Sequence, residues 1–184
     1  MKWNKMLVVV YLIVFSGCAI WTPIKKDKNL WKYRDFQAEF PVGWAKSSHS
    51  NGVVLTYQGV YLQEISFSKA RMNAEFKFSK RKITEDMLLQ DISKLIIDEL
   101  SLNQNLKNFT LLENSPTNLS GQEAFKIVYT FNNVDFVTYK CVTYGFVYEK
   151  KFYQMKYIAA LQYHYDHFLK DFETMMESFK IVSE

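Results

Sequence analysis

The chain has 184 residues, of which 48% are hydrophobic and 23% are charged, and its formal net charge is +4 at neutral pH. This small charge gives no support to nucleic-acid binding, which needs a strongly basic surface. A chain of this length buries about two thirds of its unfolded surface, so it needs no disulfide framework to form a core.

Residues 1–17 have the pattern of a secretory signal peptide. A short positive start is followed by the uninterrupted apolar residues 6–15 and by the small residues Ser16 and Gly17. A transmembrane helix needs ~20 apolar residues, so a permanent membrane span is the weaker interpretation. The segment holds two lysines and no acidic residue, and its removal lowers the net charge from +4 to +2.

Residues 15–18 resemble the lipobox of bacterial lipoproteins. Ser16, Gly17 and Cys18 match that pattern, and Phe15 stands where leucine is usual. The resemblance implies cleavage after Gly17, a diacylglycerol on the Cys18 sulfur and a palmitate or similar chain on the new amine. Two or three acyl chains make a firm membrane anchor. The alternative is an ordinary signal peptide with Cys18 as an incidental thiol.

The residues after Cys18 suggest a destination. In lipoproteins of Gram-negative bacteria an aspartate at this place retains the protein at the inner membrane, and by analogy Ala19 favours the outer membrane, facing the periplasm. Residues 18–29 contain Lys25, Lys26 and Lys28 and are polar enough for a tether that touches anionic head groups. The predicted division is a signal peptide (1–17), a lipidated N terminus with tether (18–29) and one domain (30–184).

The first strand pattern is the alternation of apolar and polar residues over 61–68. A basic cluster follows, interrupted by Glu75; its members are Lys69, Arg71, Lys77, Lys80, Arg81 and Lys82. Four of these are our candidates for contact with a membrane or an acidic partner: Lys77, Lys80, Arg81 and Lys82. The alternative is a solvated loop.

A first helix is predicted with Thr84 as its cap and Glu85 and Asp86 in its first turn. Three strands from 122 to 161 then predict an antiparallel meander, with a tight turn at residues 132–133 because asparagine tolerates positive φ. Residues 136–148 are apolar on both faces, as in a central strand. Cys141 lies among them, which predicts a buried, inert thiol.

A second helix is predicted from about Asp166, and its apolar stripe is core rather than a ligand pocket. Strands flanked by separate helices predict an α+β fold. We expect an antiparallel β-sheet of about six strands sandwiched by helices.

Three stretches together resemble the PsbP-like superfamily, which includes photosystem II extrinsic subunits and DcrB-type bacterial lipoproteins. They are residues 36–44 with Pro-x-Gly-Trp, residues 120–131 led by Gly121, and residues 152–182 ending in Ser-Phe-Lys-Ile. The match is carried by Pro41, Gly43, Trp44, Gly121, Ala124, Ser178, Phe179 and Lys180. The resemblance implies an antiparallel sheet between helices, and a binding or assembly role without a shared catalytic constellation.

Catalytic and metal-binding patterns are scarce. No phosphate-binding glycine loop and no G-x-S-x-G elbow is present, and His49 among serines is explained more simply by a polar loop than by a triad. His164 and His167 stand one helical turn apart with Asp171 beyond them, a weak candidate set for zinc or copper. Its alternative is a solvated helix start. We therefore expect no cofactor and no enzyme activity.

The preferred hypothesis is a lipid-anchored envelope lipoprotein whose noncatalytic PsbP-like domain binds a protein partner or supports an envelope complex. The alternative is a periplasmic carrier of a small apolar ligand, lipid or metal ion, using a pocket lined by aromatic side chains.

Overall fold

The computed structural model describes residues 21–34 and 36–182, so the predicted signal peptide and Cys18 lie outside the described residues. Within those ranges the chain forms eleven strands, two α-helices and a short 3-10 helix at Lys26–Lys28. The α-helices are α1 Leu89–Ser101 and α2 His164–Ser178. The strands are β1 Thr22–Pro23, β2 Leu30–Tyr33, β3 Phe36–Glu39, β4 Ala45–His49, β5 Gly52–Thr56, β6 Gln63–Arg71, β7 Lys107–Leu119, β8 Gln122–Asn132, β9 Thr138–Tyr148, β10 Lys151–Ala160 and β11 Lys180–Ile181.

Eight of the described strands form an antiparallel main sheet in the order β1-β4-β5-β6-β10-β9-β8-β7. The other three form a small sheet in the order β11-β3-β2. The predicted antiparallel meander is confirmed as β8-β9-β10. The predicted number of about six strands is wrong, because β7 is largely polar and the N-terminal strands are too short to show a clear hydrophobic period.

The main sheet is covered on both faces, and each cover has its own hydrophobic core. α2 and the small sheet lie on one face, over a core that includes Phe36, Trp44 and Phe172. α1 packs on the other face against β7, β8 and β9, over a core that includes Ile92 and Phe125. The predicted α+β fold is confirmed. One of the two layers that cover the main sheet contains strands as well as a helix.

The two ends of the main sheet carry different connections. We call one the loop end; it consists of residues 57–62 between β5 and β6, 133–137 between β8 and β9, and 161–163 between β10 and α2. The opposite end, which we call the charged end, includes the turn between β9 and β10 and the points where the connection 72–88 leaves β6 and enters α1. An ion pair of 3.2 Å between Lys150 and Glu85 joins these two connections.

The helix starts differ from the prediction. Thr84 does not cap α1: the capping position is Leu88, which makes no side-chain capping bond. The Thr84 carbonyl instead accepts a hydrogen bond from the Met87 N–H in a turn before the helix. α2 begins at His164, two residues before the predicted Asp166.

The predicted tight turn at residues 132–133 is a five-residue loop, 133–137, so β9 begins at 138. The Asn133 side chain closes this loop, because its Oδ1 accepts hydrogen bonds from the N–H groups of Asp135 and Val137. The positive φ, 60°, belongs to Phe136 and not to an asparagine. Asparagine therefore acts here through its side chain, as in an Asx turn.

Part of the segment predicted as a tether lies against the domain. β1 pairs with Lys46 and Ala45 at the start of β4. Ile24 is buried, and its N–H donates to the Trp44 carbonyl at 2.7 Å. The chain thus joins the domain beside the loop end, because the start of β4 lies opposite the end of β5. The domain boundary at residue 30 stays a prediction.

One hydrogen bond ties the start of β4 to α2. The Trp44 side chain is 1% exposed, and its Nε1–H donates to Oδ2 of Asp171 at 2.8 Å. A buried indole N–H without an acceptor carries its full desolvation cost.

A second polar contact ties residues 72–88 to the last part of α1. The Glu99 carboxylate on α1 accepts hydrogen bonds from the N–H groups of Phe78 and Ser79. Burial acts to raise the pKa of Glu99, but these hydrogen bonds outweigh it, and the pKa lies below its usual value.

We expect Asp171→Ala to lower the free energy of unfolding by about 1–3 kcal/mol, because it leaves the buried Trp44 N–H without its acceptor. Asp171→Asn keeps an acceptor oxygen and should cost less. Urea denaturation measures both. A loss no larger than that from Glu173→Ala, an exposed acid on the same helix, would contradict the prediction.

Acid should weaken the contact made by Glu99. Its folded-state pKa is depressed, so its contribution to stability is present above the unfolded pKa of about 4.3 and is lost as pH falls through the folded value. We expect the natural protein to lose more stability than Glu99→Gln between neutral pH and strongly acidic pH. Denaturation at a series of pH values measures this, and parallel curves for the two proteins would refute it.

Candidate functional site

The three metal candidates, His164, His167 and Asp171, all lie on α2. His164 and His167 occupy the first turn of α2, where the His164 ring stacks on Phe168. The Asp171 carboxylate is used by Trp44. Across residues 21–34 and 36–182, no group of three or more His, Cys, Asp or Glu side chains is arranged to hold a metal ion.

The next candidates are the Cys141 thiol and the His49 ring with its neighbouring serines. Cys141 is a buried free thiol, as predicted, and burial raises its pKa, which disfavours the thiolate. Its Sγ lies 3.6 Å from Oγ1 of Thr143. His49 is exposed at the end of β4, and within the described part of the chain no hydrogen bond joins its ring to a serine hydroxyl.

The basic candidates lie in the connection between β6 and α1, which also carries acids. Lys77, Lys80, Arg81 and Lys82 are all exposed in residues 72–88. Arg81 pairs with Asp98 at 2.9 Å, although both side chains are half exposed. Acidic residues 75, 85 and 86 lie in the same segment. The surface therefore carries both signs of charge, and contact with a membrane or an acidic partner stays a prediction.

The loop end exposes aromatic side chains almost without charge. Tyr61 is 83% exposed, Phe136 is 78% exposed and Tyr163 is 59% exposed. Other exposed apolar side chains on the same three loops are Tyr57, Val60, Leu62, Val134, Val137 and Leu161. Asp135 is the one charged residue among the fourteen residues of these loops. Contiguous apolar surface of this kind marks a binding surface more often than chance exposure does.

A groove of about 670 Å³ runs between these loops. Hydrogen bonds from the Ala160 N–H to the Leu62 carbonyl (2.9 Å) and from the Tyr139 hydroxyl to the Tyr61 carbonyl (2.6 Å) hold its walls together. Nδ1 of His164 is buried beside the groove, with no hydrogen-bond partner among the described residues.

A second groove, of about 500 Å³, lies between α1 and β7, nearer the charged end. Two of its polar side chains are paired with each other: Nδ2 of Asn114 donates to Oγ of Ser93 at 3.2 Å, and the Ser93 hydroxyl donates to the Gln90 carbonyl. We call it the α1–β7 groove. Its lining is Leu89, Gln90, Ser93, Lys94, Asn114, Ser115, Pro116, Thr117, Glu123, Ala124 and Phe125.

Neither groove was predicted from the sequence. The loop end combines residues more than 70 positions apart, such as Tyr61 and Phe136. The sequence of each loop taken alone predicts only an ordinary turn. The α1–β7 groove depends on β7, whose hydrophobic period is weak. Pro116 was the available signal, since proline within a sheet is confined to edge strands and bulges.

No helix among the described residues has both the length and the hydropathy needed to cross a membrane. No protein-family model matches the sequence, and no curated protein does.

Solved structures show what the fold is similar to. The cyanobacterial PsbP protein CyanoP from Synechocystis sp. PCC 6803 superposes with a TM-score of 0.57 at 14% identity, over 91% of this chain and 95% of that chain. A Mog1 variant gives 0.55 at 8% identity, over 89% and 97%. A Pseudomonas aeruginosa protein of unknown function gives 0.52 at 15% identity, over 81% and 93%. The expected resemblance is confirmed at the level of the fold: the chain has a PsbP-like fold.

Proposed function

We propose that the protein is a lipid-anchored cell-envelope lipoprotein of the DcrB kind. Its noncatalytic PsbP-like domain binds a protein partner, or supports an envelope complex, through the α1–β7 groove. Acyl chains on Cys18 hold it at the outer membrane, facing the periplasm.

The composition of the α1–β7 groove is the observation that supports this proposal. Leu89, Pro116 and Phe125 provide apolar walls, while Lys94 and Glu123 bring opposite charges to its lining. An apolar centre with a polar surround is the usual anatomy of a protein–protein contact. The groove lies away from the edge where β1 joins the domain, so a partner reaches it while the N terminus is at the membrane.

The use of the ionisable residues supports binding rather than catalysis. Asp171 accepts from Trp44, and Glu99 accepts from backbone N–H groups. Cys141 is buried with a raised pKa. These groups stabilise the fold, whereas catalytic acids, bases and nucleophiles need access to a substrate.

The groove at the loop end favours a second candidate function, a carrier of a small apolar ligand or lipid. Its volume of about 670 Å³ is in the range of small-molecule sites, and the unpaired His164 Nδ1 offers one polar contact. Native mass spectrometry of protein recovered gently from the periplasm tests this function. A retained organic mass supports the carrier, and a clean mass of the unliganded chain counts against it.

We expect cells to incorporate labelled palmitate into the natural protein and not into Cys18→Ala, because acylation requires the Cys18 sulfur and the cleavage that follows it. Cys141→Ala is the matched control and should retain the label. Label in Cys18→Ala, or none in the natural protein, overturns the lipid-anchor proposal.

A photoreactive residue at Lys94 or at Thr117, on the two sides of the α1–β7 groove, should capture the same protein in living cells. The matched control is Lys170, an exposed position on α2 that should not capture it. Capture from both sides of the groove separates a docked partner from chance collisions. No reproducible partner at either position refutes binding through the groove.

A further inference from the structure

The point where the chain joins the domain limits the distance between the domain and the membrane. If Cys18 is acylated, as in the proposed function on which this inference rests, four residue steps connect it to Thr22. Fully extended, they span at most about 14 Å. Thr22 is held by pairing with Lys46 of β4, beside the loop end. The loop end is therefore held within a short distance of the head groups.

The loop end has the composition of a surface that sits in a membrane interface. Its exposed side chains are mainly tyrosine, phenylalanine, leucine and valine, with Asp135 as the one charge among its fourteen residues. Amphipathic aromatic rings concentrate at the level of the lipid head groups. Trp21, 39% exposed directly before β1, adds a further aromatic ring near the anchor.

Phe136 presents an exposed ring on a loop whose backbone is fixed. Its N–H donates to the Asn133 carbonyl at 3.1 Å, and Nδ2 of Asn132 donates to the Phe136 carbonyl at 3.2 Å. The ring is 78% exposed, and contact with an apolar medium would remove its apolar surface from water.

Positive charges lie on the side of the domain where contact with an anionic membrane surface would need them. Lys25, Lys26 and Lys28 are exposed directly after β1, where anionic head groups attract them. At the opposite end lie Glu149 and Lys150 in the turn between β9 and β10, with Glu85 paired to Lys150.

We propose that the loop end rests on the lipid bilayer, with the rings of Tyr61, Phe136 and Tyr163 at the boundary between head groups and acyl chains. The anchor and the loops then form one membrane-facing surface. The α1–β7 groove faces away from the bilayer and stays accessible to a protein partner.

Fluorescent labels on the full acylated protein, reconstituted into vesicles of phosphatidylethanolamine and phosphatidylglycerol, test this contact. The labelled variants are Phe136→Cys and Tyr61→Cys, and the control is Leu88→Cys, a 61% exposed apolar position at the charged end. Cys18 is acylated and Cys141 is buried, so neither competes for the label. We expect brominated lipids to quench the two loop-end labels severalfold more strongly than the Leu88→Cys label.

Equal quenching at all three positions, in protein that still floats with the vesicles, overturns the bilayer contact and leaves the anchor intact. Protein that does not associate with vesicles shows instead that the proposed lipid anchor has failed. Labels shielded from water in native envelope membranes, but not quenched by lipid in protein-free vesicles, would show that a protein covers the loop end and would also overturn the inference.

Discussion

The central strands of the main sheet bury side chains on both faces, and the sheet therefore needs a cover on each side. On β10, Phe152 belongs to the core beneath α1, and its neighbour Tyr153 belongs to the core beneath α2. Each square ångström of apolar surface left in water would cost about 25 cal/mol. α1 covers one face, and α2 with the small sheet covers the other. The positions of both helices, and the connections that lead to them, follow from this requirement.

The same requirement explains why several chemically suggestive residues are structural. α2 covers its face beside β4, and the bond between Trp44 and Asp171, in the middle of the helix, ties the two elements together. His164 and His167 lie on the first turn of the helix, where they stack on aromatic neighbours. Of the residues that resemble a ligand set in the sequence, Asp171 thus helps to hold the cover of the sheet in place.

The two ends of the sheet are chemically unlike each other, and this difference gives the domain a direction. The loop end presents aromatic rings and little charge, whereas the opposite end carries Glu85, Glu149 and Lys150, with an ion pair between Glu85 and Lys150. A domain anchored beside its apolar end would hold that end at the membrane and its charged end in water. The proposed bilayer contact and the proposed partner groove are compatible because they occupy different parts of the surface.

The sequence by itself determined the features that depend on local periodicity: the strands of the meander, the apolar stripe of α2 and the burial of Cys141. Alternation along a strand reports which face is buried, whatever the strand pairs with. Only the tertiary structure decided the strand count, the role of Asp171, and the grouping of residues 57–62, 133–137 and 161–163 at one end. Asp171 meets Trp44 across 127 positions of sequence. Such contacts depend on how whole elements pack, and no local pattern of residues records them.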